Sequence, residues 1–200
     1  MDVPLLTLQG EQIMYEKKHK FLGITLDAPK LTWKPHIDQL KASCQKRVSL
    51  LKSISHNHWG GDRKTILMLY KSLVRSKMDY GCQFYGNASD ILLRELEPIQ
   101  NQCLRIASGC HATTPIMSLQ VETHVPPLIF RREELSLKYY CRIMELDPSI
   151  PTVRMLLDNR RRFDQQKSLL GQSHLLIEKW TLPVPSRMPS LPWSPIPILD

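Results

Sequence analysis

The acidic side chains are the first candidates for chemistry, and their spacing argues against a complete catalytic centre. Glu133 and Glu134 are adjacent, but neighbours in a helix point about 100° apart and do not converge on one substrate. We expect them to pair with Arg131, Arg132 or Lys138 instead. The sequence also has no Gly-x-Ser-x-Gly pattern that would mark a nucleophile. We therefore assign no catalytic residue.

Two groups of cysteine and histidine raise the question of zinc. One combines Cys44 with the segment His56 to His58, and the other combines Cys103 with Cys110-His111. Neither contains the CxxC spacing that is typical of a structural zinc site. Cys44 and Cys103 fall on apolar helical stripes, where thiols commonly fill space. We predict no metal site.

Positive charge is concentrated in one block of the chain. The 200 residues have a net charge of +8. Residues 34–80 contain ten basic and three acidic side chains, a net of +7, whereas residues 1–33 contain four of each. Apolar residues recur in this block at helical spacing and basic residues fall mostly off that stripe, which predicts amphipathic helices with a charged face.

Such a face favours an acidic partner, nucleic acid above all. Lysines that only solvate the outer face of the helices would give the same pattern. The nucleic-acid interpretation predicts as contacts Lys34, Lys41, Arg47, Arg63, Lys71 and Arg75.

Composition narrows the remaining classes. A hydrophobic content of 42% and a charged content of 23% are typical of globular proteins. Five widely spaced cysteines and an opening segment without a basic, apolar leader predict an intracellular protein, of the cytoplasm or nucleus, without a disulfide framework. No apolar run approaches the roughly 18 residues of a membrane helix, so we expect no membrane partner.

The periodicity predicts a mainly α fold. Short strands are expected within residues 4–8, 12–15 and 20–26. Helices are expected from Pro35, from Asp62, over residues 89–108 with a kink at Pro98, over 115–122 and over 131–146. Six prolines from Pro183 to Pro197 predict a proline-rich extended tail. The chain is thus predicted to be a small N-terminal β element, a helical bundle and a tail.

Over roughly residues 4–146, a series of short motifs resembles the reverse transcriptases of non-LTR retrotransposons, the jockey-like group in particular. The tail segments Leu191 to Trp193 and Ile198 to Asp200 are similar to the stretch that precedes a ribonuclease H domain in these elements. The motifs, in chain order, are Phe21-Leu22-Gly23, Leu31-Thr32-Trp33 with His36-Ile37, Ile99-Gln100-Asn101 with Leu104-Arg105 and Gly109, Thr113-Thr114-Pro115, Pro126-Pro127-Leu128, and Arg131-Arg132.

The resemblance implies four regions. Residues 1–33 would be the remnant of a palm β-hairpin, 34–80 a basic helical thumb, 81–150 a helical connection region, and 151–200 a linker-like tail, partly disordered. Phe21, Leu22 and Gly23 would form the primer grip, in which a tight glycine turn brings backbone close to the primer end. The basic helices would hold the primer–template duplex.

The resemblance does not extend to the chemistry of polymerisation. That chemistry uses two metal ions, Mg²⁺ in the parent polymerase, held by convergent carboxylates. The family's Tyr-x-Asp-Asp turn does not occur, and Asp79-Tyr80 has the reverse order. The resemblance thus implies a fragment of an RNA-directed DNA polymerase that positions primer and template, without its catalytic palm and not catalytic alone. It would have no cofactor of its own, and its partners would be the duplex and the missing palm and ribonuclease H domains.

Two other functions stay open. A stand-alone basic nucleic-acid-binding helical module predicts binding that weakens steeply with salt. A helical protein-interaction remnant predicts salt-insensitive binding through an exposed apolar stripe, such as Ile37, Leu40 and Val48.

Overall fold

Two short antiparallel hairpins precede a set of helices in the computed structural model, which describes residues 6–55, 60–147 and 149–158 together with residues 173, 176, 177 and 181. The first hairpin pairs β1 (Leu6–Leu8) with β2 (Glu11–Ile13), and the second pairs β3 (Lys18–Phe21) with β4 (Ile24–Asp27). Both turns have two residues with positive φ, Gln9-Gly10 and Leu22-Gly23. Two-residue turns with positive φ at both positions match the right-handed twist of the flanking strands, and they can therefore close a hairpin with a two-residue loop.

The described helices account for most of the remaining chain, and the predicted mainly α fold with a small N-terminal β element is confirmed. The predicted proline-rich segment from Pro183 to Pro197 lies outside the described residues. The helices are α1 (Lys34–Ile54), α2 (Arg63–Leu69), a π-helical turn (Tyr70–Arg75), α3 (Ser76–Asp79), α4 (Cys82–Tyr85), α5 (Asp90–Arg94), α6 (Glu97–Ser108), α7 (Ile116–Thr123), α8 (Leu128–Glu145) and α9 (Pro151–Asp158).

Helix ends follow local chemistry that the sequence predicts. The Asp62 side chain accepts a hydrogen bond from the Thr65 amide at the start of α2, and Ser89 caps α5 in the same way. Gly109 ends α6 with a φ of 65°. The predicted kink at Pro98 is wrong, because two separate helices, α5 and α6, replace the single helix that was expected. Pro98 lies in the first turn of α6, where its missing N–H costs no helical hydrogen bond.

The core is built on the apolar stripe of α1. Ile37, Leu40 and Val48 are 0%, 4% and 1% exposed, because α6 and the π-helical turn pack against this side of the helix. The expectation that this stripe would be an open docking surface is therefore wrong. Apolar burial of this extent is the main stabilising term for a helical bundle of this size.

A buried polar contact joins the π-helical turn to α6. The Tyr70 hydroxyl donates to Gln100 Oε1 at 2.7 Å, and Gln100 Nε2 donates to the carbonyl of Pro126 at 3.0 Å. Both side chains are fully buried. Burial raises the pKa of Tyr70, so the phenol remains a donor at neutral pH.

Removing this hydroxyl has a predictable effect on stability. Tyr70→Phe should lower the free energy of unfolding by about 1–3 kcal/mol, because Gln100 Oε1 loses its buried donor. Urea denaturation followed by circular dichroism measures the change. Tyr139→Phe is the matched control, since the Tyr139 hydroxyl has no hydrogen bond among the described residues. Equal stability of the two variants would contradict the assignment.

Candidate functional site

The second hairpin is fixed to the start of α1 by Thr25. The Thr25 amide donates to His36 Nδ1 at 3.3 Å, and its hydroxyl donates to Gln39 Oε1 at 2.9 Å. Thr25 is buried, whereas β3 is exposed along its whole length. One strand of the hairpin therefore packs on the helices and the other faces solvent.

Asp27 shapes the loop that leads into α1. Its carboxylate accepts hydrogen bonds from the amides of Thr32 and Trp33, at 3.1 Å each. Burial opposes its ionisation, but a hydrogen bond from the Thr32 hydroxyl, together with the two amide hydrogen bonds, outweighs that effect and lowers the pKa of Asp27. Trp33 occupies the N-cap position without a side-chain hydrogen bond, and its ring is buried in the core.

The tip of the second hairpin, Leu22-Gly23, contacts the corner that follows α3. The Tyr80 hydroxyl donates to the Leu22 carbonyl at 2.6 Å. A Cβ added at Gly23 would lie 3.4 Å from Tyr80 Cε1, and one added at Gly81 would lie 2.8 Å from Ile24 Cδ1. The two glycines therefore allow close approach between the hairpin and the corner.

A shallow groove of about 470 Å³ runs beside this contact. We call it the tip groove. It brings two predicted primer-grip residues, Leu22 and Gly23, next to one predicted basic contact, Arg47. Phe21 does not line it, and this side chain is exposed. The lining consists of Leu22, Gly23, Arg47, Ser72, Leu73, Ser76, Lys77 and Tyr80.

The six predicted basic contacts divide into two sets of three. Lys34 pairs with Asp38 at 3.6 Å, Lys41 pairs with Glu95 at 2.8 Å, and Arg63 pairs with Glu122. Arg47, Lys71 and Arg75 have no carboxylate partner among the described residues. The Nη1 of Arg47 donates to the Ser43 carbonyl at 3.1 Å, which holds its guanidinium beside α1. The second set retains charge that an anionic ligand could neutralise.

Lys77 also lines the tip groove, although it is not one of the six predicted contacts. Its Nζ lies 6.0 Å from the centroid of the Tyr80 ring, and it has no carboxylate partner in the described part of the chain. Burial lowers the pKa of His36, and the charge of Lys77 lowers it further. Helical spacing predicts that Lys77 faces outward. Its position beside Leu22 and Gly23 follows from the packing of the hairpin on the helices, which helical spacing does not predict.

The cysteines and carboxylates of the described residues form no metal centre. These residues contain no group of three or more His, Cys, Asp or Glu side chains that could hold an ion. Burial raises the pKa of Cys44 to about 11 and that of Cys103 to about 12, so these thiols stay protonated inside the core.

A larger cavity of about 810 Å³ lies between α5, α6 and α8. Its wall mixes both signs of charge, and Glu97 and Arg132 approach to 4.0 Å there. None of the predicted site residues lines it. The candidate site is therefore the tip groove, where predicted primer-grip residues lie next to a predicted basic contact.

The sequence is homologous to the RNA-directed DNA polymerases of non-LTR retrotransposons. One relative is the RNA-directed DNA polymerase from mobile element jockey of Drosophila funebris, 27% identical over 144 residues that make up 71% of this chain. A probable RNA-directed DNA polymerase from transposon X-element of Drosophila melanogaster is 33% identical over 46% of the chain. The Pol polyprotein from type-1 retrotransposable element R1 of Bradysia coprophila is 30% identical over 41%.

These matches cover small parts of long proteins. The chain spans 15% of the length of the jockey relative, 10% of the X-element relative and 8% of the R1 relative. No protein-family model matches the chain. No solved structure matches it either. Within the part of the chain that the structure describes, every helix is too short or too polar to cross a membrane.

Proposed function

We propose that this chain positions a primer–template duplex for the RNA-directed DNA polymerase of a non-LTR retrotransposon. In this proposal the tip groove, with its cations Arg47 and Lys77, contacts the sugar–phosphate backbone, and so do Lys71 and Arg75. Such contacts orient a nucleic acid without reading its sequence. Bond formation, and any Mg²⁺ that supports it, belongs to polymerase residues outside these 200.

One observation carries the proposal. The tip groove joins Leu22 and Gly23, predicted as primer grip, to Arg47, predicted as a phosphate contact, although they lie on different elements. Arg47 and Lys77 have no carboxylate partners within the described ranges, so their charge is available to a polyanion. The homologous polymerases, whose names specify nucleic-acid synthesis, support the same ligand class.

The alternative of a stand-alone nucleic-acid-binding module uses the same groove and differs only in the absence of a polymerase partner. The alternative of a protein-interaction remnant loses its proposed surface, because the stripe of Ile37, Leu40 and Val48 is buried. We therefore retain nucleic-acid binding as the property to test first.

The test is salt-dependent binding to a primer–template duplex, measured by fluorescence anisotropy. Affinity should fall linearly on a log–log plot, with a slope of about −0.9 for each phosphate contacted on B-form DNA. The double variant Lys71→Glu, Arg75→Glu should weaken binding by roughly sixtyfold or more at 0.1 M salt. Each of the two lost phosphate contacts contributes a factor of about eight to the affinity at that salt concentration.

The matched control reverses two cations that already have carboxylate partners, with Lys34→Glu and Lys41→Glu. This variant should retain more of the affinity than the first. Wild-type affinity that does not change with salt, or full binding by the Lys71→Glu, Arg75→Glu variant, would contradict the proposed function.

A further inference from the structure

Tyr80 links two parts of the molecule that lie far apart in the sequence. Its hydroxyl donates to the Leu22 carbonyl at 2.6 Å across a separation of 58 residues. The edge of its ring faces Gly23. Tyr80 itself is 53% exposed, so its contribution to core packing is small compared with that of a buried tyrosine.

The hairpin tip depends on contacts of this kind. An isolated two-stranded hairpin has little stability in water, and Phe21 and Leu22 are 61% and 73% exposed. Thr25, one strand pair away from the turn, holds the body of the hairpin on α1, whereas the tip is held by Tyr80 and by the contact between Ile24 and Gly81. Loss of the Tyr80 hydrogen bond would therefore free the tip without unfolding the helices.

The same ring borders the cations of the tip groove. Lys77 Nζ lies 6.0 Å from its centroid, and Arg47 lines the groove beside it. Tyr80 thus stands between the hairpin backbone and the charges that would neutralise a phosphate. Moving the tip away from Tyr80 would change the spacing between backbone contacts at Leu22-Gly23 and charge contacts at Lys77 and Arg47.

We propose that Tyr80 is a positioning residue for nucleic acid. It holds the tip of the hairpin so that one strand contacts the Leu22-Gly23 backbone and, through its phosphates, Lys77 and Arg47 at the same time. This inference rests on the proposed function and adds to it a residue that contacts no phosphate itself. Its effect is on the geometry of the groove and not on its charge.

The experiment compares Tyr80→Phe with wild type in duplex binding across a salt series. The variant should bind about fivefold more weakly, the equivalent of one lost hydrogen bond. Its salt slope should equal that of wild type, because no cation is removed. Tyr15→Phe is the matched control, since Tyr15 is 54% exposed and its hydroxyl has no hydrogen bond in the described residues.

A double-mutant cycle distinguishes positioning from a general structural effect. In an Arg47→Gln, Lys77→Gln background, Tyr80→Phe should weaken binding by less than about twofold, because the geometry that Tyr80 maintains loses both of its charged partners. Amide hydrogen exchange should become faster at residues 20–25 and stay unchanged in α1 and α6. These readouts would not change in this way if the variant only lowered global stability.

The outcomes separate the two proposals. Wild type that fails to bind nucleic acid overturns the proposed function and this inference with it. Wild type that binds, together with a Tyr80→Phe variant of equal affinity, overturns this inference alone. A Tyr80→Phe effect of the same size with and without Arg47 and Lys77 also overturns it.

Discussion

Replacing Arg47, Lys71 and Arg75 together with glutamine is expected to reduce duplex affinity by roughly 500-fold at 0.1 M salt, since each phosphate contact contributes a factor of about eight there. The log–log salt slope should become less steep by about 2.7, because three contacts of about 0.9 each are lost. These three cations have no carboxylate partner among the described residues, so their charge is free for a polyanion. Anisotropy titrations between low and moderate salt measure both quantities.

The three other predicted contacts give a control of equal charge. Lys34→Gln, Lys41→Gln and Arg63→Gln remove cations that pair with Asp38, Glu95 and Glu122. This variant should keep most of the salt slope, because those charges are already neutralised by the protein. Equal losses in the two triple variants would mean that net charge alone controls binding, and the cations without a carboxylate partner would then have no special role.

Gly81→Ala is expected to lower the free energy of unfolding by about 3 kcal/mol, from left-handed backbone strain and overpacking together. Gly81 has a φ of 69°, and an added Cβ would lie 2.8 Å from Ile24 Cδ1. Either the hairpin or the corner after α3 must move. Chemical denaturation followed by circular dichroism gives the free energy.

Two further variants separate the causes of this loss. Gly109 also has a positive φ, of 65°, but no atom lies within 4 Å of its added Cβ, so Gly109→Ala should cost only the backbone part, about 1–2 kcal/mol. Ile24→Val removes the clashing Cδ1 and should recover part of the stability lost by Gly81→Ala. Similar losses for Gly81→Ala and Gly109→Ala would show that the hairpin does not pack on this corner.

The elements of the fold were predictable where local chemistry determines them. Asp62 and Ser89 cap helices because their side chains reach amides three residues ahead. Gly109 ends α6 because a positive φ suits glycine. The break before Pro98 was missed, because a proline inside an apolar periodic segment is compatible with a kink and with a new helix start.

The candidate site was predictable in its residue types but not in its arrangement. The partners of Lys41 and Arg63 lie 54 and 59 residues away along the chain, so no local spacing indicates which cations are neutralised. The contact between Tyr80 and Leu22 is equally distant in sequence. These pairings follow from the packing of the hairpin and helices on one another, which periodicity does not specify.

The π-helical turn of Tyr70–Arg75 determines which way the side chains of the following helical residues point around the helix axis. A π turn is equivalent to one residue inserted into an α-helix, and one residue corresponds to a rotation of about 100°. Tyr70 opens this turn and faces the core, and after the turn Met78 faces the core while Lys77 and Tyr80 line the tip groove. Deleting a single residue here would therefore turn Lys77 and Tyr80 away from the groove and Met78 out of the core, while Tyr70 would keep its position.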